Sequence, residues 1–107
     1  MPLSHALEAR RFSNAGPVPQ PLSVGEGLAA MLLCLQRGQR LQAPESDEAE
    51  TVFTVLAGVG AVIDGEERFE VRAGDVVHVL PGRVKALEAG DGTFTVLGVR
   101  RLGGRRG

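Results

Sequence analysis

The chain has 107 residues, of which 43% are hydrophobic and 23% charged, with a net charge of −1. This length suits one domain, and the composition excludes the disordered and membrane-spanning classes of protein. The small net charge excludes long-range attraction of the whole molecule to nucleic acid or anionic lipid, and no apolar run approaches the roughly 20 residues of a membrane-spanning helix. No secretory signal is recognisable, so we expect a cytoplasmic protein.

The first segment, residues 1–21, is predicted to form an irregular arm that lies along the domain. Pro2, Pro17, Pro19 and Pro21 interrupt any regular element there, because proline lacks a backbone donor and fixes its own φ angle. Residues 5–11 leave room for one helical turn.

The rest of the chain has the pattern of short strands separated by turns. Residues 28–35 are the most apolar run and predict a buried strand, in which Cys34 packs as a small hydrophobic side chain. Residues 51–57 and 76–80 are largely apolar on both faces, which predicts strands covered on both sides. Residues 68–71 alternate polar and apolar side chains, which predicts one solvated face. Turn signals recur at Gly38, Gly58, Gly65, Gly74, Gly82 and Gly90.

The dipeptide Asp64-Gly65 stands between two such strands and predicts a tight hairpin whose turn needs a positive φ angle. Seven to nine short strands in one small domain indicate a sandwich or a barrel, since both architectures limit exposed sheet edges. The sequence therefore predicts an all-β fold.

The C-terminal segment RRLGGRRG carries Arg100, Arg101, Arg105 and Arg106. Such a cluster could meet a phosphate or an acidic neighbour. Its glycine-rich context favours a solvated basic segment, and we expect a flexible basic tail over residues 102–107.

Two segments carry a family resemblance. The sequence ETVFTVLAG at residues 50–58 is similar to the first motif of the cupins, and AGDVVHVLPGRVKAL at residues 73–87 is similar to the second, through Gly74, Asp75 and Gly82. In this order and at this spacing, the chain resembles a small single-domain cupin of the cupin 2 conserved-barrel type over about residues 26–99. The resemblance implies a jelly-roll β-barrel, also called a double-stranded β-helix, which we bound at residues 22–101.

Metal-binding cupins hold their ion with two histidines and a glutamate from the first motif and a histidine from the second. The resemblance puts the two histidine positions near Pro44 and Ser46, the glutamate position on Thr51 and the last histidine position on Lys85. Proline offers no side-chain donor atom, hydroxyls are poor ligands for a divalent transition metal, and an ammonium group repels a cation. We therefore expect neither the usual metal site nor a cofactor.

A different metal site is the alternative, built from acidic residues with a nitrogen from His78. We interpret the acidic run as a solvated loop instead, and expect His78 on the outer face of the sheet because it alternates with Val77 and Val79. The acidic residues of that alternative are Glu45, Asp47, Glu48 and Glu50.

Lys85 is the only lysine, and alternation places it on the same face as Leu87. The resemblance implies that this face lines the barrel cavity. Three roles are open for it: pairing with an acid of residues 45–50 or reaching the barrel mouth, binding an anionic ligand, and acting as a base or Schiff-base nucleophile. The candidate residues for the cavity wall are Lys85, Ser46, Thr51, Phe53, Met31 and Leu87.

Two functions from different classes follow. The first is a metal-free module that binds a small molecule, for which an anionic ligand is one option, or that has a structural role. The second is a small cupin enzyme of the isomerase, decarboxylase or dioxygenase type that uses Lys85 or a non-standard metal.

The absence of Trp and Tyr disfavours carbohydrate and single-stranded nucleic-acid recognition. The two-sided apolar strand at residues 28–35, together with the way in which small cupins pair, predicts a homodimer.

Overall fold

A computed structural model describes residues 3–44 and 47–102 of the chain. The candidate residues Glu45 and Ser46, and the arginines Arg105 and Arg106, lie outside this part. The described residues contain a short 3-10 turn at Ala6–Ala9 and the following strands. These are β1 (Val18–Val24), β2 (Leu28–Leu35), β3 (Arg40–Gln42), β4 (Thr51–Ala57), β5 (Val59–Asp64), β6 (Glu67–Arg72), β7 (Val76–Val79), β8 (Lys85–Ala89) and β9 (Phe94–Arg101).

The strands form two sheets whose neighbours are all antiparallel. One sheet has the order β1-β2-β9-β4-β7, and the other has the order β3-β8-β5-β6. The inner faces of the two sheets meet in one apolar core, whose largest fully buried side chain is Phe94. The prediction of an all-β jelly-roll barrel is confirmed. In the described part of the chain, no helix has the length and apolar character needed to cross a membrane.

The predicted hairpin joins β5 to β6. Asp64 pairs with Glu67, so Gly65 and Glu66 form the two-residue turn. Gly65 has a φ of +64°, and no residue other than glycine has a positive φ in the described structure. Positive φ at the first central position only is the pattern of a type II′ turn, whose twist matches the flanking strands.

The N-terminal arm is more regular than predicted, because β1 begins at Val18 and includes Pro19 and Pro21. The strand lies at the edge of its sheet and pairs with β2 alone. The lack of a backbone N–H at each proline therefore costs no hydrogen bond to a second neighbouring strand. An irregularity in the pairing follows Pro21. The earlier part of the arm is held by side-chain amides, since Gln20 Nε2 donates to the Ala9 carbonyl at 2.9 Å.

The prediction that residues 76–80 are covered on both sides is wrong for the single chain. Val76 is 61% exposed and Leu80 is 56% exposed. The physical reason is position, because β7 lies at the edge of the five-stranded sheet and its outer face meets solvent. Strand β4 lies inside the same sheet, and all its side chains are buried or half-buried as predicted.

Candidate functional site

A cavity of about 330 Å³ lies between the two sheets. This volume is in the range of small-molecule sites. Its walls are mainly apolar, with three charged side chains among them. The lining residues are Pro19, Met31, Leu33, Leu41, Pro44, Asp47, Thr51, Phe53, Lys85, Gly98 and Arg100. We call this cavity the barrel pocket.

Lys85 is the first residue of β8, and its side chain is 4% exposed. As alternation predicts, it lies on the same buried face as Leu87. Its ammonium group donates to the carbonyl oxygens of Asp47 and Ala49, both at 3.2 Å. Its Nζ atom also lies 3.5 Å from Asp47 Oδ1. The ammonium therefore has three acceptors close to it, as the removal of a charge from water requires.

Asp47 connects the two cations of the barrel pocket. While Oδ1 faces Lys85, Oδ2 lies 3.2 Å from Arg100 Nη1. The loop that carries Asp47 also holds its carboxylate in place, since Oδ1 accepts a hydrogen bond from the backbone N–H of Ala49 at 3.0 Å. Its side chain is 12% exposed, so the pair with Lys85 is largely removed from solvent. The charges of the pocket consequently form a Lys85–Asp47–Arg100 triad.

Arg100 is the pocket residue that the sequence pattern did not place in the cavity. The sequence pattern groups it with the solvated basic segment, whereas in the structure it belongs to β9 and lies opposite Thr51 of β4. The available signal was alternation along β9, because Phe94, Val96 and Gly98 precede it at intervals of two; Phe94 and Val96 are buried in the core, and Gly98 lines the barrel pocket. Its Nε atom is buried and has no hydrogen-bond partner within residues 3–44 and 47–102.

The predicted cavity residues are only partly brought together. Thr51, Phe53 and Met31 line the barrel pocket with Lys85, whereas Leu87 belongs to the apolar core beside it. Ser46 lies outside the described residues. Asp47 entered the sequence analysis as part of an acidic run, and the structure gives it a separate place as the partner of Lys85.

Three of the positions that the resemblance assigns to metal ligands are described by the structure, and their side chains do not suit a divalent ion. The Thr51 hydroxyl donates to the Ala49 carbonyl at 3.0 Å, and the Lys85 ammonium, at the position that the resemblance assigns to the second-motif histidine, donates to the Asp47 carbonyl. Pro44 has no donor atom to offer. Among residues 3–44 and 47–102, no group of three or more His, Cys, Asp or Glu side chains is arranged to hold a metal ion.

The alternative metal cluster is not assembled by the described residues. Glu50 and His78 are paired through Oε2 and Nε2 at 2.6 Å, in a depression on the outer face of the five-stranded sheet. Asp47 faces the barrel pocket instead. His78 is therefore a residue of the outer sheet face, as its alternation with two valines predicts.

A second group of charges lies on the outer face of the four-stranded sheet, away from the barrel pocket. Glu88 accepts hydrogen bonds from Arg68, at 2.7 Å, and from Arg40. The hydrogen bond from Arg68 is the main cause that holds the pKa of Glu88 below its ordinary value of 4.5. Arg68 is exposed, so this group is a solvated ion-pair network.

Known proteins of similar sequence or structure have the same all-β architecture as this chain. A family model described as the cupin domain matches residues 31–99, which is more than half of the chain. The structure of TT1209 from Thermus thermophilus superposes with a TM-score of 0.88 at 19% identity, covering 94% of this chain and 97% of that one.

Two further solved structures have the same fold. An RmlC-like cupin protein from Desulfovibrio desulfuricans has a TM-score of 0.83 at 22% identity, covering 94% of this chain and 96% of its own. A cupin 2 conserved barrel domain protein from Salinispora arenicola has a TM-score of 0.72 at 19% identity, covering 94% and 87%. No curated protein matches the sequence significantly. At these identities the structural likeness concerns the fold alone.

Proposed function

Because this chain belongs to the cupin domain family, we propose that it is a metal-independent cupin module that binds a small anionic molecule in the barrel pocket. Its function is binding and not catalysis. The observation that carries the proposal is the charge of the pocket wall, whose described lining has two cations, Lys85 and Arg100, against the one carboxylate of Asp47.

The chemistry of the pocket supports binding without a metal. A metal-binding cupin brings neutral imidazoles and a carboxylate to one point, and these attract a divalent cation. Here an ammonium and a guanidinium line the same pocket with one carboxylate, that of Asp47, so the charged side chains of the described lining sum to one positive charge. This excess disfavours a divalent cation and favours an anion, which would supply the missing counter-charge.

Catalysis by Lys85 is the alternative function, and the geometry supports it less well. A Schiff-base nucleophile or a general base needs a free lone pair on Nζ. Two carbonyl oxygens and a carboxylate surround Nζ, and all three suit a donating ammonium. Borohydride reduction with small carbonyl compounds tests this alternative. We expect no mass increase on Lys85, and a modified Lys85 would establish catalysis in its place.

A binding screen on chelator-treated protein tests the proposed function. Thermal-shift measurements would compare anionic, neutral and cationic small molecules, and titration calorimetry would follow each compound that stabilises the protein. We expect anionic compounds to bind equally well before and after chelator treatment. Lys85→Met should weaken this binding at least tenfold, while Arg37→Met, a control at a side chain that is 78% exposed, should leave it unchanged.

Two results would contradict the proposal. The first is a stoichiometric transition metal in protein purified without added metal, together with ligand binding that is lost when the metal is removed. The second is a pocket that no compound of any charge enters, with melting temperatures unchanged across the screen.

A further inference from the structure

We propose that the ligand of the barrel pocket is a small monocarboxylate with an apolar body, aromatic or branched aliphatic, whose carboxylate binds Arg100 beside Lys85. This inference rests on the proposed binding function and adds to it the chemical class of the ligand and the residue that recognises it.

The charge of the ligand follows from the charges that line the pocket. Among the described residues, the lining contains two cations, Lys85 and Arg100, and one carboxylate, Asp47. One positive charge of this described lining is therefore left without a counter-charge among residues 3–44 and 47–102. A ligand with a single negative charge makes the site neutral, whereas phosphate or a dicarboxylate would bring an excess of negative charge into an apolar cavity.

The site of the carboxylate follows from the cation that is less fully paired. The Lys85 ammonium donates to the Asp47 and Ala49 carbonyls, and its Nζ atom lies 3.5 Å from Asp47 Oδ1. Arg100 pairs with Asp47 through Nη1, and its side chain is 42% exposed, so part of it remains open to a ligand. A guanidinium presents its donors as a planar fork that fits a carboxylate, so a ligand carboxylate on this fork completes the site.

The body of the ligand follows from the remaining walls. Met31, Leu33, Leu41 and Phe53 present carbon atoms to the cavity. A sugar or a hydroxy acid would bury hydroxyl groups against these side chains without partners, at a cost that an apolar body avoids. The volume of about 330 Å³ has room for an aromatic ring or a branched chain.

Titration calorimetry with a matched series of compounds tests the inference. The probes are phenylacetate, 3-methylbutanoate, the neutral isostere phenylacetamide, malonate and inorganic phosphate, each with chelator-treated protein. We expect both monocarboxylates to bind at least tenfold more tightly than phenylacetamide, malonate and phosphate. Because ionic attraction contributes, raising the ionic strength should weaken the binding of the monocarboxylates.

Two neighbouring arginines give a matched pair of variants. Arg100→Gln should weaken phenylacetate binding at least tenfold, whereas Arg101→Gln should leave it unchanged, since Arg101 lines the depression on the outer sheet face instead. Circular dichroism checks that each variant is folded. Arg100→Lys keeps the charge but lacks the planar fork of donors, and we expect it to bind phenylacetate more weakly than the wild type.

The outcomes separate this inference from the proposed function. Equal binding of phenylacetate and phenylacetamide, tighter binding of malonate or phosphate, or unchanged binding by Arg100→Gln would overturn the monocarboxylate site while leaving a ligand-binding pocket. The comparison of compounds on the wild type decides the question even if a variant does not fold. A pocket that binds no compound of any charge would overturn the proposed function as well.

Discussion

Lys85 and Asp47 form an ion pair in the wall of the barrel pocket, with 3.5 Å between Nζ and Oδ1 and side chains that are 4% and 12% exposed. The sequence separates the two residues by a long stretch of chain, and only closure of the barrel brings them together. A pair so deeply buried makes each partner dependent on the other, because either charge alone would be costly to keep away from water.

Removing the charge of Asp47 should therefore destabilise the fold. Asp47→Asn leaves the Lys85 ammonium buried beside a neutral side chain, and we expect a loss of roughly 2–4 kcal/mol in the free energy of unfolding. Urea denaturation measures this change. Lys85→Met should cost less, because the Asp47 carboxylate keeps Arg100 at 3.2 Å.

The double variant provides the control. In Asp47→Asn with Lys85→Met, neither charge is left buried without a partner, so the double variant should be more stable than Asp47→Asn alone. Additive effects of the two substitutions would show that the pair is not coupled.

The glycine that closes the first motif should be intolerant of a side chain. A Cβ atom at Gly58 would lie 2.0 Å from the Thr93 carbonyl oxygen, and Gly58 has a φ of +84°. We expect Gly58→Ala to lose roughly 3 kcal/mol of stability or to fail to fold. Gly92 is the matched control, since its φ is +102° but no atom lies within 4 Å of its Cβ position. Gly92→Ala should cost roughly 1–2 kcal/mol, and equal losses at both positions would contradict the steric argument.

The ion pairs of Glu88 should make stability depend on pH. The pKa of Glu88 in the folded protein is below its ordinary value, chiefly through the hydrogen bond from Arg68. Its contribution is therefore fully present above the unfolded pKa of 4.5 and is lost as the pH falls through the lower, folded pKa. We expect Glu88→Gln to be less stable than the wild type at neutral pH, and the difference to shrink on acidification. Urea denaturation at a series of pH values measures it.

Two comparisons check the cause of this pH dependence. Glu66→Gln, in the exposed turn between β5 and β6, should show no such pH-dependent difference. High salt should also reduce the effect of Glu88→Gln, because exposed charges are screened. A constant difference between wild type and Glu88→Gln at every pH would refute the assignment.

The outer face of the five-stranded sheet is proposed to pair with a second copy of the chain. Leu28 is 59% exposed and Val76 is 61% exposed on this face, and Val52 and Val99 are half-buried between them. Burial of this apolar surface would favour a homodimer. We expect sedimentation equilibrium to give a dimer at micromolar concentration, and Leu28→Glu to give a monomer.

A control for the dimer comes from the opposite sheet. Val59 is 45% exposed in the four-stranded sheet, so Val59→Glu should leave the dimer intact. A wild-type protein that sediments as a monomer would remove this proposal.

The sequence predicts the scaffold better than the site. An unbroken apolar run fixes β2 at residues 28–35, and the Gly65 turn fixes the β5–β6 hairpin, because both signals are local. Lys85 could be placed on the inner face because alternation along one strand decides it. Arg100 could not, since β9 continues into a glycine- and arginine-rich segment that has the composition of a tail. The position of Asp47 depends on how the loop after β3 folds over the pocket, and no local pattern determines that.

The most direct test is a high-resolution crystal structure of chelator-treated protein soaked with phenylacetate. We predict a carboxylate oxygen within about 3 Å of a guanidinium nitrogen of Arg100, the ring against Met31 and Phe53, and the Lys85–Asp47 pair beside it. A transition metal bound in the barrel pocket, or a carboxylate that avoids both cations, would contradict this prediction.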